Sequence, residues 1–177
     1  CRSIWNTRVR VADRYRVGRA FLLGDAAHVM PPWGGFTANT GIADAHNLAW
    51  RLEEVITGRD NSACLDAYET ERRPVAIRNG IQARLRTDFE ARFQIRTATN
   101  EATMNRIIDY GALQMRYRFG ADDTVEQLLA QPGTRFPHAQ IVRAGQPLST
   151  LDLFGNGYVR IGGPKAEGDS LRAEVDF

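Results

Sequence analysis

The spacing of apolar and polar residues divides the chain into a strand-bearing opening, a helical middle and a second stretch of strands. Residues 8–11 alternate basic and apolar side chains, the period of a short half-exposed strand. Residues 15–19 predict a turn, and the run Ala20, Phe21, Leu22, Leu23 predicts a strand buried on both faces. Gly24 and Asp25 end it. Residues 26–40 hold Pro31, Pro32, Gly34 and Gly35 and predict a loop. Ala45, Leu48, Ala49, Leu52, Val55 and Ile56 then recur at three and four, the apolar face of a helix that stops at Gly58.

Further on, residues 62–73 predict a second helix, with Leu65 and Tyr68 inward and Glu69 paired to Arg73 one turn later. Pro74 suits the first turn of a third helix reaching about Phe93. Residues 101–110 predict another helix, residues 115–119 an extended segment and residues 124–130 a short helix. A turn follows at Pro132 and Gly133. Residues 139–142 and 157–161 are the clearest late strands, joined through residues 148–154. The change of character near Gly120 sets a domain boundary within 115–135, so residues 1–118 and 119–177 are expected to belong to different domains.

Composition narrows the class. Of the 177 residues, 43% are hydrophobic and 25% charged, the range of a globular protein. No apolar run approaches the ~20 residues of a membrane helix, and no signal-peptide pattern opens the chain. The expectation is therefore a cytoplasmic location with no membrane partner. Cys1 and Cys64 are the only cysteines, too few for a disulfide framework or a thiolate metal site. Lys165 is the single lysine, yet the net charge is only +2 because the arginines are interleaved with Asp and Glu. That pattern argues against a nucleic-acid surface, which would gather cations without matching acids. The chain opens at Cys1 without methionine and is strand-like within a few residues, as expected of a piece from a longer protein.

Candidate chemistry concentrates between residues 24 and 52. The order Gly24-Asp25-Ala26-Ala27-His28, Pro31-Pro32, Gly34-Gly35, Asn39-Thr40-Gly41, Asp44-Ala45 sets a carboxylate at a strand end, glycines where a backbone can approach a flat ligand, and then a helix start. A helix start offers free N–H groups and the positive end of a dipole. Strand, loop and helix recur in many folds, so a capping Asp25 and a rigid Pro31-Pro32 corner also fit. His28, His46, Asp25 and Asp44 suggest a metal cluster only superficially, since residues two apart on a helix diverge and no H-E-x-x-H spacing exists. No metal is expected. His138 reads as a packing residue. Gly155-x-Gly157 lacks the third glycine and the following helix of a nucleotide fingerprint.

Taken whole, this run resembles the second flavin-binding motif of the class A FAD-dependent aromatic hydroxylases, which include the para-hydroxybenzoate, phenol and polyketide hydroxylases. Tyr68-Glu69-Thr70-Glu71-Arg72-Arg73-Pro74-Val75-Ala76 resembles the segment that follows it. Residues 135–139 and 149–155 resemble the entry to the family's thioredoxin-like C-terminal domain. The resemblance implies an α/β fold class: the end of an FAD-binding three-layer fold in residues 1–118, followed by the start of a thioredoxin-like domain in residues 119–177. It implies FAD as cofactor, NADPH as reductant, O2 as co-substrate and an aromatic substrate, phenolic or polyketide. In that family a C4a-hydroperoxide of the flavin hydroxylates an electron-rich ring, so no side chain here need act as acid or base.

By the same resemblance, Gly24 and Asp25 meet the ribityl or ribose part of FAD, and Gly34 and Gly35 let the loop lie against the ring system. Pro32 lies beside the substrate cavity. The N–H groups around Thr37, Ala38 and Asn39 face the flavin N1–C2=O edge, an oxyanion-hole type of role. Asp44 fixes the loop and helix start. Two positions depart from the pattern. Thr37 stands where glycine is usual, which puts a left-handed backbone there in doubt. Trp33 replaces a smaller residue, and either narrows the substrate cavity or covers the loop. The GxGxxG half that holds the FAD pyrophosphate is expected on an N-terminal part of the same protein, without which the chain is inactive. A Baeyer–Villiger-type flavoprotein oxygenase, and a non-catalytic structural or homodimerisation piece, remain the alternatives.

Overall fold

A computed structural model describes residues 7–119, 124–154, 159–161 and 173–175. It divides into two compact units, Cys1–Gln127 with Pro132–Thr134, and Leu128–Gln131 with Arg135–Phe177. The first opens with four two-residue strands, β1 (Arg10–Val11), β2 (Arg16–Val17), β3 (Ala20–Phe21) and β4 (His28–Val29). β1 pairs antiparallel with β4, and β2 with β3. Helix α1 (Phe36–Ile56) and helix α2 (Asp66–Leu85) follow, preceded in the second case by a 3-10 turn at Ser62–Leu65. Short helices α3 (Phe89–Arg92), α4 (Glu101–Met104) and α5 (Tyr110–Met115) complete the unit's regular elements.

Two apolar clusters hold this unit together. Tyr15, Ala27, Leu48, Tyr68 and Ala76 form one, flanked by Val11, Ala12, Phe21 and Leu52. Met30, Phe36, Ala83 and Leu113 form the other, flanked by Val9, Ile108 and Tyr110. Polar bonds then tie α2 to the β2–β3 hairpin. The Glu69 carboxylate accepts from the Tyr15 and Arg16 N–H groups at 2.7 and 3.1 Å. The Tyr68 hydroxyl donates to the Leu22 carbonyl at 2.7 Å, and Arg73 Nε to the Ala12 carbonyl at 2.9 Å.

Several expectations are corrected here. Residues 20–23 do not form a strand buried on both faces: Ala20 is exposed, Leu22 and Leu23 are 40% exposed, and β3 pairs only with β2 among the described residues. Four apolar residues in a row read alike whatever packs on them, so local pattern could not decide their burial. The loop expected over 26–40 contains β4, and α1 starts at Phe36, inside that loop and before its anticipated start. The buried face of α1 is Phe36, Thr40, Asp44, Asn47, Leu48 and Arg51, while Ala45 and Ala49 are exposed and Ile56 is 80% exposed. The helical period was right and its face only partly so: Leu48 is buried and Leu52 packs against the same cluster, but the inward face is rotated toward Thr40, Asp44, Asn47 and Arg51, polar groups that pair with α2.

Pro74 lies inside α2 rather than at the start of a third helix. An interior proline removes a hydrogen bond and costs about 3 kcal/mol. The helix continues because residues on both sides of Pro74 are fixed by tertiary contacts: Arg72 and Arg73 by polar bonds, Val75 and Ala76 by burial. For the same reason Glu69 and Arg73 do not pair with each other: Glu69 is held by the Tyr15 and Arg16 N–H groups at the hairpin and Arg73 by the Ala12 carbonyl just after β1. Residues 124–130 are not helical, and the helix expected over 101–110 is confined to α4, with α5 beginning at Tyr110.

In the second unit, β5 (Gln140–Arg143) and β6 (Gln146–Ser149) form an antiparallel hairpin. Its two-residue turn, Ala144 at φ 50° and Gly145 at φ 79°, has the doubly positive backbone of a primed hairpin turn. The Ser149 and Asp152 side chains form a capping box on the 3-10 turn Thr150–Leu153. His138 is exposed rather than packed, and its Nδ1 lies 2.7 Å from Ser149 Oγ. β7 (Val159–Ile161) and β8 (Ala173–Val175) form a second antiparallel pair. Gly155 and Gly157, and the start of the strand expected over 157–161, lie outside the described residues.

Candidate functional site

The candidate site is built where three short pieces meet, the last of them the start of α1. The first is the 3-10 turn Gly24–Ala26 after β3, on which Asp25 is exposed; it does not sit at the end of a buried strand. This turn packs directly on α1: a Cβ placed on Gly41 would lie 3.1 Å from the Gly24 Cα. Glycine at both positions therefore lets two backbones approach more closely than side chains allow.

The second piece is the loop from Met30 to Gly35. Pro31 is buried, Pro32 exposed, and Trp33 half-buried. Gly34 at φ 90° and Gly35 at φ 64° carry the left-handed backbone here, and a Cβ on Gly34 would strike the Phe36 ring at 2.5 Å. The departure at Thr37 thus imposes no strain, since Thr37 is already helical. Its hydroxyl donates to the Met30 carbonyl at 3.3 Å. The third piece is the first turn of α1, where Ala38 and Asn39 are exposed and no side chain caps the helix. Those N–H groups have no intrahelical acceptor and present the positive end of the dipole. No acidic residue occupies this turn.

Behind these pieces lies a buried ionic cluster whose partners the sequence did not disclose. The Asp44 carboxylate, 0% exposed, accepts from Arg72 Nε at 2.8 Å and from the Gly24 N–H at 3.3 Å, and lies 2.7 Å from His28 Nε2. Burial alone would raise its pKa, but the hydrogen bonds from His28 and Arg72 and the Arg72 charge outweigh this and hold it below the ordinary carboxylate value. Arg72, 1% exposed, also donates to the Thr40 carbonyl at 3.3 Å. A second pair runs alongside: Arg51 Nη2 meets Glu71 at 2.8 Å, and Asn47 Nδ2 donates to the same carboxylate at 2.8 Å. Asp44 thus anchors the Gly24 turn, β4 and α2 to α1. His28 and Asp44 do meet, but the third member of their cluster is a cation; His46 stays exposed.

Burial also pushes the Tyr15 and Tyr68 hydroxyls above their usual range, so neither is an anion near neutral pH. Of the residues singled out from sequence, Asp25, Pro32, Gly35, Ala38 and Asn39 are exposed, Gly24, Trp33, Gly34 and Thr37 half-buried. Arg72, Arg86 and Arg92, which support them, were not anticipated. Their partners lie tens of residues away, and an arginine-rich composition hides which few are buried.

The comparisons with known proteins bear on this surface. A family model described as "FAD binding domain" matches residues 1–82, which include the turn, the loop, all of α1 and most of α2. A tetracenomycin A2 monooxygenase-dioxygenase of Streptomyces glaucescens is 40% identical over 97% of the chain. The chain belongs to the FAD-dependent aromatic hydroxylases. Within that family, a 4-methyl-5-nitrocatechol 5-monooxygenase of Burkholderia sp. is 38% identical over 92% of the chain. The solved structure of an aklavinone-11 hydroxylase with FAD and aklavinone superposes on 86% of the chain, with TM-score 0.74 and 35% identity. The chain spans about a third of the length of the two curated relatives, 31% and 32%, and 30% of that solved chain. These likenesses agree with the mixed helix-and-strand α/β architecture and with FAD as the family's cofactor.

Proposed function

We propose that the protein carrying this chain is an FAD-dependent monooxygenase that hydroxylates an aromatic substrate, phenolic or polyketide, with O2 as oxygen source and NADPH as reductant. The observation that carries the reading is the uncapped, acid-free N-terminus of α1 opening beside an exposed loop and an exposed Asp25, inside the stretch matched by the FAD-binding family model. The residues fit such a cofactor. Two glycines at positive φ keep the end of the loop free of Cβ atoms, and the Asp25 carboxylate is exposed and has no hydrogen-bond partner among the described residues.

Asp25 accepts hydrogen bonds from ribityl or ribose hydroxyls, with Gly24 beneath them. Gly34 and Gly35 form the flat floor on which the ring system lies. The N–H groups of Thr37, Ala38 and Asn39 offer hydrogen bonds and a positive dipole to an anionic ring edge, each such contact contributing about 0.3–2 kcal/mol according to burial. Pro32 and Trp33 border the substrate cavity. The flavin supplies the oxygen chemistry when bound, and the protein supplies position and electrostatics. Residues 119–177 open a thioredoxin-like domain in this reading; residues 135–177 fall in a separate compact unit, which supports a division in this stretch, whereas residues 119–127 belong to the first unit.

The test is the visible spectrum of the full-length protein as purified, followed by Asp25→Ala. The expected result is flavin bands in the parent and markedly lower flavin content in the variant, with unchanged circular dichroism. With NADPH and a phenolic substrate, the product gains one oxygen on the ring. A protein that stays colourless when FAD is supplied overturns the proposal.

A further inference from the structure

One face of α1 begins with Phe36, Asn39, Thr40 and Ala43, a three-and-four stripe that lines a cavity of about 220 Å³ together with Arg72 and Asn79 of α2. Phe36 packs into the cluster with Ala83 and Leu113. The turn around Thr40 borders open space instead, and polar ties hold it to α2. Arg72 Nη2 donates to the Thr40 carbonyl at 3.3 Å, and Asn79 Nδ2 to the Thr40 hydroxyl at 3.0 Å. The side-chain ties of the preceding residues run back to the loop: the Thr37 hydroxyl donates to the Met30 carbonyl at 3.3 Å, and Asn39 Nδ2 to the Gly35 carbonyl at 2.8 Å.

Arg72 also bonds Asp44, so its part in holding Thr40 is bound up with the ionic cluster. Asn79 has a narrower part. It is buried, its Nδ2 serves Thr40, and its Oδ1 meets no other group of the chain. A buried acceptor without a partner costs free energy, so an apolar side chain of the same size would serve the packing of α2 at least as well. What the amide adds is a fixed place for Thr40, the residue at which the first turn of α1 closes. The free N–H groups of Thr37, Ala38 and Asn39 lie immediately before it. A hydrogen bond weakens steeply as its angle opens, and the dipole's effect falls off within one turn, so a small rotation of this turn changes what those groups can stabilise.

We propose that Asn79 is a positioning residue for flavin reduction: by holding the Thr40 hydroxyl beside the cavity, it aims the free N–H groups of Thr37, Ala38 and Asn39 at the negative charge the ring edge gains on reduction. The proposal rests on the flavoenzyme reading above and deepens it by adding a residue of α2 to that site. Asn79 does not touch the cofactor; it acts through Thr40.

The test uses the full-length protein and measures two quantities for each variant: the dissociation constant of oxidised FAD, and the midpoint potential of the bound flavin by equilibration with a reference dye. Asn79→Leu keeps the volume and removes the tie. It is expected to bind oxidised FAD within about 2-fold of the parent and reduced FAD about 5-fold more weakly, the size of one weakened contact at a helix start. The potential then falls by about 20 mV, at about 30 mV per tenfold for two electrons. Thr40→Val removes the same tie from the other side and is expected to give the same fall, with the double variant falling no further. Thr40→Ser keeps the hydroxyl and is expected to keep the parent's potential. Equal weakening of oxidised and reduced FAD, with the potential unchanged, marks a merely structural residue and overturns the proposal. So does an unchanged potential with unchanged affinity, or an additive fall in the double variant. Thr40→Val against Thr40→Ser decides alone if Asn79→Leu does not fold. A parent that binds no FAD overturns the flavoenzyme reading and this proposal with it, whereas any of the preceding failures in a flavin-loaded parent overturns this proposal only.

Discussion

Replacing Asp44 by alanine removes the acceptor on which Arg72, His28 and the Gly24 N–H converge. Both charged partners are sealed from solvent, with side-chain exposures of 1% and 0%. Breaking a buried pair from one side leaves an uncompensated charge and costs about 3–5 kcal/mol. Arg72 has little alternative support, because its Nη1 has no hydrogen-bond partner and its Nη2 only the Thr40 carbonyl at 3.3 Å. The loss is large against the ~5–15 kcal/mol that keep an ordinary domain folded. Urea unfolding followed by circular dichroism measures it. With a slope of about 2 kcal/mol per molar, the midpoint falls by roughly 1.5–2.5 M. Asp44→Asn keeps the volume and one acceptor oxygen, so its shift is smaller. Pairing Asp44→Ala with Arg72→Met removes the stranded charge, so the double variant loses less than the two single losses summed. A midpoint shift for Asp44→Ala under about 0.5 M, the size of an exposed ion pair, refutes the claim that this cluster fastens the turn and β4 to the helices.

The same carboxylate makes stability depend on pH. Its folded pKa lies below its unfolded value, so its contribution is present above the ordinary carboxylate range and disappears as pH falls through the lowered folded value. Acid titration of the midpoint is expected to show a loss below about pH 4 that is reduced in Asp44→Asn; identical profiles contradict the assignment. Gly80→Ala forces a Cβ to 2.6 Å from Val9 Cγ1, so it destabilises by about 1–3 kcal/mol, and Val9→Ala in the same chain recovers most of that on a thermal melt. Tyr68→Phe leaves the Leu22 carbonyl without its hydroxyl partner and lowers stability by about 0.5–1.5 kcal/mol. Asp25→Ala, whose side chain is exposed and has no hydrogen-bond partner among the described residues, leaves the unfolding free energy within about 0.5 kcal/mol of the parent while flavin content drops; a matching fall in stability makes Asp25 a structural residue instead.

The sequence by itself determined what depends on local chemistry. Glycine at 34 and 35 predicted a backbone without Cβ atoms, and both glycines have positive φ. The three-and-four spacing predicted α1, and the break at Pro132-Gly133 predicted a turn. Ordered spacing from Gly24 to Leu52 carried the family, because few chemistries need a carboxylate, a proline corner, paired glycines and a helix start in that order. Tertiary structure decided everything that depends on a distant partner. Helical period cannot say which face turns inward when the inward residues are Asp44, Asn47 and Arg51, since their burial costs little only once Arg72 and Glu71 arrive from α2. Nor can composition single out Arg92 among so many arginines: what sets it apart is its seat between two carbonyls and the face of Trp33. Pro74 reads locally as a helix start, and only the fastening of Arg72 and Arg73 carries α2 through it. Local propensities are worth tenths of a kcal/mol per residue, whereas breaking a buried charge pair or a packed contact costs several, so where the two disagree the distant contacts prevail.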